Sequence, residues 1–146
     1  DLVQRTLLLL KTAMRDHRRN IELSEEELMV EGEPHLLQQV IFNLVNNACQ
    51  AMSEAGTLTI TSRQENDLAF LEIKDTGPGI LEELLEKIFE PFFTTKPEGE
   101  GTGLGLSICR NFLSRFGGKI WTVPSSSGAH FVISLRCVSK NKEDKL

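Results

Sequence analysis

Residues 33–52 read EPHLLQQVIFNLVNNACQAM, and this stretch predicts one amphipathic helix around which the rest of the chain folds. Apolar side chains recur at the three- and four-residue spacing of a buried helical stripe, and Pro34 suits the first helical position. The members of the stripe are Leu37, Val40, Ile41, Leu44, Ala48, Ala51 and Met52. The sequence therefore specifies both where this helix starts and which face it buries.

Packing does not explain two asparagines that lie beside this stripe. Asn43 and Asn47 are four residues apart, which places them only about 40° apart around the helix axis. Asparagine is a mediocre helix former because its side chain competes for backbone hydrogen bonds. Capping or a helix contact would explain a single asparagine. A pair at this spacing, facing a glycine-rich loop, is better explained as oxygen ligands for a hard cation.

A second feature is a carboxylate at the end of a predicted strand. Residues 57–63 and 68–75 alternate apolar and polar side chains and predict two antiparallel strands. The period of two places Asp75 on the same face as the core residues of its strand. Gly77 and Gly79 follow, and they allow a backbone turn and the close approach of a ligand. An ordinary turn after a strand would show the same pattern, so this feature alone leaves both interpretations open.

Two glycine-bearing segments follow along the chain. Residues 89–103, FEPFFTTKPEGEGTG, form a long irregular connection with phenylalanines at one end and glycines at the other, which predicts a lid with an anchored base. Residues 101–107, GTGLGLS, open the next helix. A glycine-rich helix start offers free N–H donors and the positive end of the helix dipole to a phosphate. The segment is neither a P-loop nor a Rossmann fingerprint, because it lacks the Lys-Ser/Thr ending and follows no strand.

Composition sets the class of protein. A chain of 146 residues suits one domain, and a net charge of −5 with dispersed basic residues argues against a nucleic-acid partner. No apolar run approaches the length of a membrane span. The three cysteines lack the spacing of a zinc site or a disulfide framework, which predicts a reducing, cytoplasmic setting. The apolar stripe of a predicted helix is present from the first residues of the sequence, so the chain looks like a piece of a longer protein.

The remaining pattern predicts smaller elements. They are a helix over residues 1–16, strand-like runs at 20–23 and 28–31, a short acidic helix at 81–88, a final hairpin of 119–123 and 129–136, and a polar, disordered tail over 138–146.

The four motifs occur in an order that resembles the N, G1, F and G2 boxes of the catalytic and ATP-binding domain of sensor histidine kinases, which belong to the GHKL ATPase superfamily. The matching segments are residues 39–48, 75–80, 88–96 and 101–107. The resemblance implies an α/β fold: a two-layer α/β sandwich in which a mixed, mostly antiparallel sheet carries helices on one face. It also implies an ATP-binding kinase domain over residues 19–137. Residues 1–18 would then be a helix end or linker from a preceding dimerisation and phosphoacceptor domain.

The resemblance also implies a binding site for ATP or ADP with Mg²⁺. Asp75 would accept a hydrogen bond from the adenine amino group, and the backbone at Gly77 and Gly79 would approach the base. Asn47 would hold Mg²⁺, Asn43 would assist at the phosphates, and both are the candidate catalytic residues. The implied nucleotide-binding residues are Asn43, Asn47, Asp75, Gly77, Gly79, Ile80, Thr95, Lys96, Gly101, Thr102, Gly103, Leu104, Gly105 and Leu106.

Three departures from the family pattern refine this expectation. Hydrolytic members of the superfamily carry a glutamate at the position of Asn43, and an amide cannot take the proton of an attacking water. Gln50 stands where some kinases have a phosphate-binding basic residue. The three histidines, His17, His35 and His130, lack the sequence context of a phosphoacceptor. Phosphotransfer to a histidine outside this chain is therefore favoured over hydrolysis.

The expected function is that of a two-component protein-histidine kinase, in its catalytic domain only. It would transfer the ATP γ-phosphoryl group to a histidine of the dimerisation domain of the same protein, and from there to an aspartate of a response-regulator receiver domain. The isolated domain would be a monomer, the complete protein a homodimer, with or without a membrane anchor. The alternatives are a nucleotide-binding regulatory module without phosphotransfer, and a GHKL ATPase or serine kinase.

Overall fold

A computed structural model describes residues 2–26, 28–93 and 105–138. Within them a five-stranded sheet has the strand order β1-β2-β3-β5-β4; β1 and β2 pair in parallel and the other pairs are antiparallel. The strands are β1 (Arg18–Glu22), β2 (Thr57–Glu65), β3 (Leu68–Lys74), β4 (Lys119–Thr122) and β5 (His130–Arg136). The helices are α1 (Leu2–Leu9), α2 (Lys11–Met14), α3 (Pro34–Ala51) and α4 (Gly105–Ser114). The predicted mixed, mostly antiparallel sheet is confirmed.

Helix α3 begins where the sequence predicts. The side chain of Glu33 caps it, because its carboxylate oxygens accept hydrogen bonds from the backbone N–H groups of His35 at 3.1 Å and Leu36 at 2.9 Å. These two bonds lower the pKa of the Glu33 carboxyl group. The predicted stripe is buried, apart from Ala51, which is exposed at the end of the helix, and Val45 joins the core instead.

The sheet buries one face against the helices. Register places Ile60, Ile73 and Phe131 side by side across β2, β3 and β5, and all three are buried. They pack with the stripe of α3 in one hydrophobic core. Because side chains alternate along a strand, Asp75, directly after β3, points to the same buried face and is only 4% exposed.

The first helices belong to this core. Leu7, Leu10 and Met14 are buried together with the side chains of α3. A single helix over residues 1–16 was expected, whereas the chain forms α1 and α2 with Leu10 between them, its φ at −108° outside the helical range. A connection of these helices to a preceding domain stays a prediction.

Two short predictions were wrong. In place of the α-helix predicted over residues 81–88, the chain forms two 3-10 turns, Glu82–Leu84 and Lys87–Phe89. The segment is short, so helix nucleation is costly, and its glutamates repel one another at close spacing. The run at 28–31 forms a single bridge, Val30 to Cys137, instead of a strand.

Several expectations fall on other parts of the chain. Most of the predicted lid, residues 94–103 of 89–103, lies outside the described residues, as do residue 104 and the tail from residue 139 onward. In the part that the structure describes, no helix is long and apolar enough to cross a membrane.

Candidate functional site

The centre of the candidate site is the carboxylate of Asp75. Its Oδ1 accepts hydrogen bonds from the backbone N–H groups of Gly77 at 2.9 Å and Ala129 at 3.1 Å. The N–H of Asp75 donates in turn to the carbonyl oxygen of Ala129 at 3.0 Å. The side chain is therefore held in one orientation. Among the described residues, both bonds to the carboxylate fall on Oδ1, which leaves Oδ2 available for a ligand.

Three glycines make the backbone around Asp75 compact. A Cβ atom on Gly77 would lie 2.9 Å from the carbonyl oxygen of Ala51, so the end of α3 presses on this turn. Gly79 has a φ of +82°, and a Cβ atom there would lie 3.1 Å from the carbonyl oxygen of Gly128. Gly128 has a φ of +72°, and a Cβ atom there would overlap the carbonyl oxygen of Asp75. Only glycine satisfies both the backbone angle and the space at Gly79 and Gly128.

The C-terminal end of helix α3 contacts this turn. Burial raises the pKa of the Cys49 thiol, and the negative charge of Asp75 raises it further. Thr76 accepts a hydrogen bond from the N–H of Thr57 at 2.9 Å, and its hydroxyl donates to Sδ of Met52 at 3.6 Å. These contacts tie the last turn of α3 and the start of β2 to the segment that follows Asp75.

The asparagines lie on α3, one and two turns before its end, and both are half-buried. Asn43 donates from Nδ2 to Sγ of Cys109 on α4, at 3.7 Å. Burial raises the pKa of Cys109 to about 11, so this sulfur is an uncharged thiol at neutral pH. Helices α3 and α4 are thus joined beside the predicted phosphate-binding segment, of which the structure describes Gly105 and Leu106.

No cluster of three or more His, Cys, Asp or Glu side chains suited to a metal occurs among residues 2–26, 28–93 and 105–138. A hard cation here would depend on the amide oxygens of Asn43 and Asn47. Mg²⁺ commonly combines few protein ligands with water and the phosphates of a nucleotide. The donor set therefore fits a metal that arrives with a phosphate ligand.

The histidines have structural partners or exposed positions. Nδ1 of His17 accepts a hydrogen bond from the N–H of Gly56 at 3.1 Å, and Nε2 of His130 lies 2.7 Å from Oε1 of Glu72. His35 is exposed in the first turn of α3. The Glu72 carboxylate that pairs with His130 also pairs with Arg63, so the contact of His130 belongs to a polar network across β2, β3 and β5.

The structure brings together part of the predicted site. Asp75, Gly77, Gly79 and Ile80 form its floor, with Ile80 packed on the core. Asn43 and Asn47 lie on α3, whose C-terminal end contacts this segment at Gly77, and Gly105 and Leu106 begin α4. The predicted residues outside the described parts of the chain are Thr95, Lys96, Gly101, Thr102, Gly103 and Leu104.

Sequence reasoning missed Gly128, Ala129 and Cys109. Gly128 and Ala129 lie directly before β5 and contact Asp75. Ala129, which donates to the Asp75 carboxylate, is 54 residues from it along the chain. A lone glycine before the last strand was the available signal for Gly128. Nothing in the helical pattern around Cys109 distinguishes it from an ordinary core residue.

Comparison with known proteins agrees with this geometry. The family described as histidine kinase-, DNA gyrase B- and HSP90-like ATPase matches residues 32–139. The chain belongs to this family, and within it to the catalytic and ATP-binding domains of sensor histidine kinases.

Its relatives include two-component sensors and sensor histidine kinases. The chain is 38% identical over 136 residues to the two-component sensor PprA of Pseudomonas aeruginosa, covering 87% of this chain and 15% of that protein. It is 34% identical over 143 residues to the sensor histidine kinase TmoS of Ectopseudomonas mendocina, covering 92% of this chain and 14% of that protein. The chain thus spans a small fraction of the length of these relatives.

Solved structures show the same fold. The catalytic domain of histidine kinase ThkA, in a nucleotide-free form, aligns with a TM-score of 0.84 and 40% identity, covering 92% of this chain and 90% of that chain. This agreement confirms the predicted α/β fold class.

Proposed function

We propose that this chain binds ATP with Mg²⁺ and transfers the γ-phosphoryl group to a histidine of a dimerisation domain in the same protein. The observation that carries the proposal is Asp75, a 4% exposed carboxylate whose Oδ1 is held by two backbone N–H groups. A buried carboxylate with one engaged oxygen presents the other as an oriented acceptor. The amino group of adenine is a donor of matching chemistry.

The neighbouring residues shape the base pocket. Gly77 and Gly79 add no side chains to the turn, so the backbone approaches the flat face of a base closely. Ile80 supplies an apolar contact from the edge of the core. Adenine binding in this proposal therefore depends on a rigid acceptor and a close-packed turn.

The other end of the nucleotide would lie between α3 and α4. Asn47 would hold Mg²⁺ together with the phosphate oxygens, and the bound cation would supply positive charge to offset the charge that develops on the phosphates. Asn43 assists at the phosphates, and Gly105 and Leu106 offer N–H groups at the start of α4. By resemblance to the family, we assign phosphate binding also to the amides of Gly103 and Leu104 and to Thr95 or Lys96. Gly101 and Thr102 are assigned to ATP binding on the same ground.

The reaction needs an external nucleophile. A histidine nitrogen of the dimerisation domain attacks the γ-phosphorus, the bond to the β,γ-bridging oxygen breaks, and ADP leaves. Neither Asn43 nor Asn47 can accept a proton from water, which disfavours hydrolysis. The described contacts of His17 and His130 are structural, which supports an acceptor in another domain.

The phosphoryl group would then pass to an aspartate of a response-regulator receiver domain. A complex of histidine kinase ThkA with the response regulator TrrA supports this partner, since that kinase aligns with this chain at a TM-score of 0.82 and 36% identity. The chain covers 40% of the ThkA protein in that complex. We further propose that residues 1–18 connect to the dimerisation domain and that this ATP-binding domain lies in the cytoplasm. The isolated domain would be a monomer and the complete protein a homodimer, with or without a membrane anchor.

The first test is the melting temperature with and without ATP, each with and without Mg²⁺. ATP at a hundred times its dissociation constant should stabilise the domain by about 2.7 kcal/mol, or raise its melting temperature by roughly 5–10 °C. Asp75→Asn should abolish this shift, because the amide retains Oδ1 for Gly77 and Ala129 but places an N–H donor opposite the adenine amino group. Asp67→Asn, in the exposed β2–β3 turn, is the matched control and should leave the shift intact.

Asn47→Asp tests the metal assignment in the same assay. A carboxylate there repels the triphosphate when Mg²⁺ is absent and attracts the cation when it is present. The ATP-induced shift should therefore fall without Mg²⁺ and persist with it. An unchanged Mg²⁺ dependence would count against Asn47 as the metal ligand.

A phosphotransfer assay with a supplied dimerisation domain separates the candidate functions. Label on its histidine, and subsequently on a receiver aspartate, is the expected result. Tight Mg·ATP binding without labelled histidine would indicate a regulatory nucleotide-binding module. Rapid release of inorganic phosphate without an acceptor would indicate a hydrolysing ATPase.

A further inference from the structure

The contact between Asn43 and Cys109 joins the two helices on either side of the proposed phosphate site. Nδ2 of Asn43 lies 3.7 Å from Sγ of Cys109, within the range of a hydrogen bond to sulfur. Cys109 is 0% exposed and lies one turn into α4, which begins at Gly105. Among the described residues, this is the hydrogen bond that the Asn43 amide makes.

The contact determines which end of the amide faces outward. Because the oxygen and nitrogen of an amide diverge from one carbon, holding Nδ2 against buried Cys109 turns Oδ1 away from the Cys109 sulfur, and Asn43 itself is only half-buried. An unanchored asparagine amide rotates about its last torsion with little preference. It would then present N–H donors and its oxygen interchangeably.

We propose that Cys109 is a positioning residue for Asn43, in which the sulfur holds Nδ2 so that Oδ1 faces the phosphates and cation. This inference rests on the proposed function, because Asn43 acts there at the phosphate end of ATP. Cys109 does not touch the nucleotide in this scheme. Its effect on the reaction passes entirely through the orientation of Asn43.

A pair of substitutions separates the hydrogen bond from packing. Cys109→Val replaces the sulfur with a slightly larger apolar side chain that accepts no hydrogen bond, whereas Cys109→Ser restores a polar acceptor in a smaller side chain. Leu113→Val is the matched control, since Leu113 is also 0% exposed on α4, one turn further along. It lowers stability through lost packing, and its apolar side chain makes no hydrogen bond to Asn43 that the substitution could remove.

A nucleotide-free measurement tests the contact itself. The side-chain amide signal of Asn43 in a ¹⁵N NMR spectrum is assigned by its loss in Asn43→Ala. It should shift in Cys109→Val, return toward its original position in Cys109→Ser, and stay in place in Leu113→Val. If the Asn43 amide signal keeps its position in Cys109→Val, the proposal is refuted, whatever the activity of the domain.

The functional measurement is a double-mutant cycle at saturating Mg·ATP with a supplied dimerisation domain. Cys109→Val should slow phosphotransfer by about threefold to tenfold, the range that one hydrogen bond supports. Affinity for ADP without Mg²⁺ should change by less than about twofold, because adenine binding at Asp75 is untouched. Cys109→Ser should recover part of the lost rate.

The decisive comparison uses a protein that already carries Asn43→Ala. There, Cys109→Val should slow the reaction by less than about twofold, because its target is gone. Full additivity of the two substitutions would refute a role through Asn43. If the wild-type domain binds ATP but transfers no phosphoryl group, the proposed kinase activity is refuted. The positioning role of Cys109 is then tested with the same four proteins, by measuring how much Mg²⁺ increases the ATP affinity of each one.

Discussion

At the scale of single residues, the orientation of Asp75 depends on Gly128, which lies outside all four family motifs. Gly128 occupies a left-handed conformation with φ of +72°, and a Cβ atom at this position would overlap the carbonyl oxygen of Asp75. The next residue, Ala129, donates its N–H to Oδ1 of Asp75 at 3.1 Å. The start of β5 is therefore as much a part of the candidate site as the glycine turn after β3.

Gly128→Ala should damage both stability and binding. The new Cβ atom overlaps the Asp75 carbonyl oxygen, and the left-handed backbone alone costs an alanine about 1–2 kcal/mol. We expect a loss of at least about 2 kcal/mol in the free energy of unfolding and no ATP-induced rise in melting temperature. Denaturant unfolding and the thermal assay measure the two effects.

Two substitutions control for this result. Ser127→Ala changes the exposed preceding residue and should leave both quantities unaltered. Gly105→Ala, where no described atom lies within 4 Å of the added Cβ, should not reduce stability in the same way. ATP binding by a stable Gly128→Ala protein would show that β5 does not constrain Asp75.

At the scale of helices and strands, the features that depend on residues close together in the sequence could be predicted from the sequence. The stripe of α3 and the alternation before Asp75 are local patterns, and both appear in the structure. The contacts of Asp75 with Ala129, and of Asn43 with Cys109 66 residues away, arise from tertiary packing that no local pattern encodes. The 3-10 turns in residues 82–89 were missed because apolar spacing over so few residues does not distinguish them from an α-helix.

The cap of α3 predicts a pH-dependent stability. Hydrogen bonds from His35 and Leu36, with a smaller effect of the His35 charge, lower the pKa of Glu33 from its ordinary value of 4.5. A lowered carboxyl pKa contributes stability above the unfolded pKa, and this contribution is lost as pH falls through the folded pKa. Glu33→Ala should therefore lower the melting temperature by a few degrees at pH 7 and by less at pH 3.

Glu31→Ala is the control for the cap. Glu31 is exposed, and its side chain does not cap α3, so its substitution should leave the melting temperature almost unchanged at both pH values. An equal effect of Glu33→Ala at pH 7 and pH 3 would mean that the ionised carboxylate does not stabilise the helix start.

At the scale of the whole molecule, the first helices form part of the domain's core. Leu7, Leu10 and Met14 pack with α3 on the helix-covered side of the sheet. The family match begins only at residue 32, after these helices. A connection from a preceding domain that ran through α1 and α2 would therefore end inside the core, and movement of that domain would act directly on α3.

Met14→Ala tests whether these helices are structural. Met14 is 2% exposed, and truncating such a side chain typically costs about 2–5 kcal/mol because a cavity remains. Leu8→Ala on α1 is the matched control: Leu8 is 62% exposed, so its truncation should change the free energy of unfolding by less than about 0.5 kcal/mol. Urea unfolding of the two variants gives both values with one assay. If Met14→Ala were as mild as Leu8→Ala, residues 1–18 would be a linker that merely rests on the domain, and the core would begin with β1.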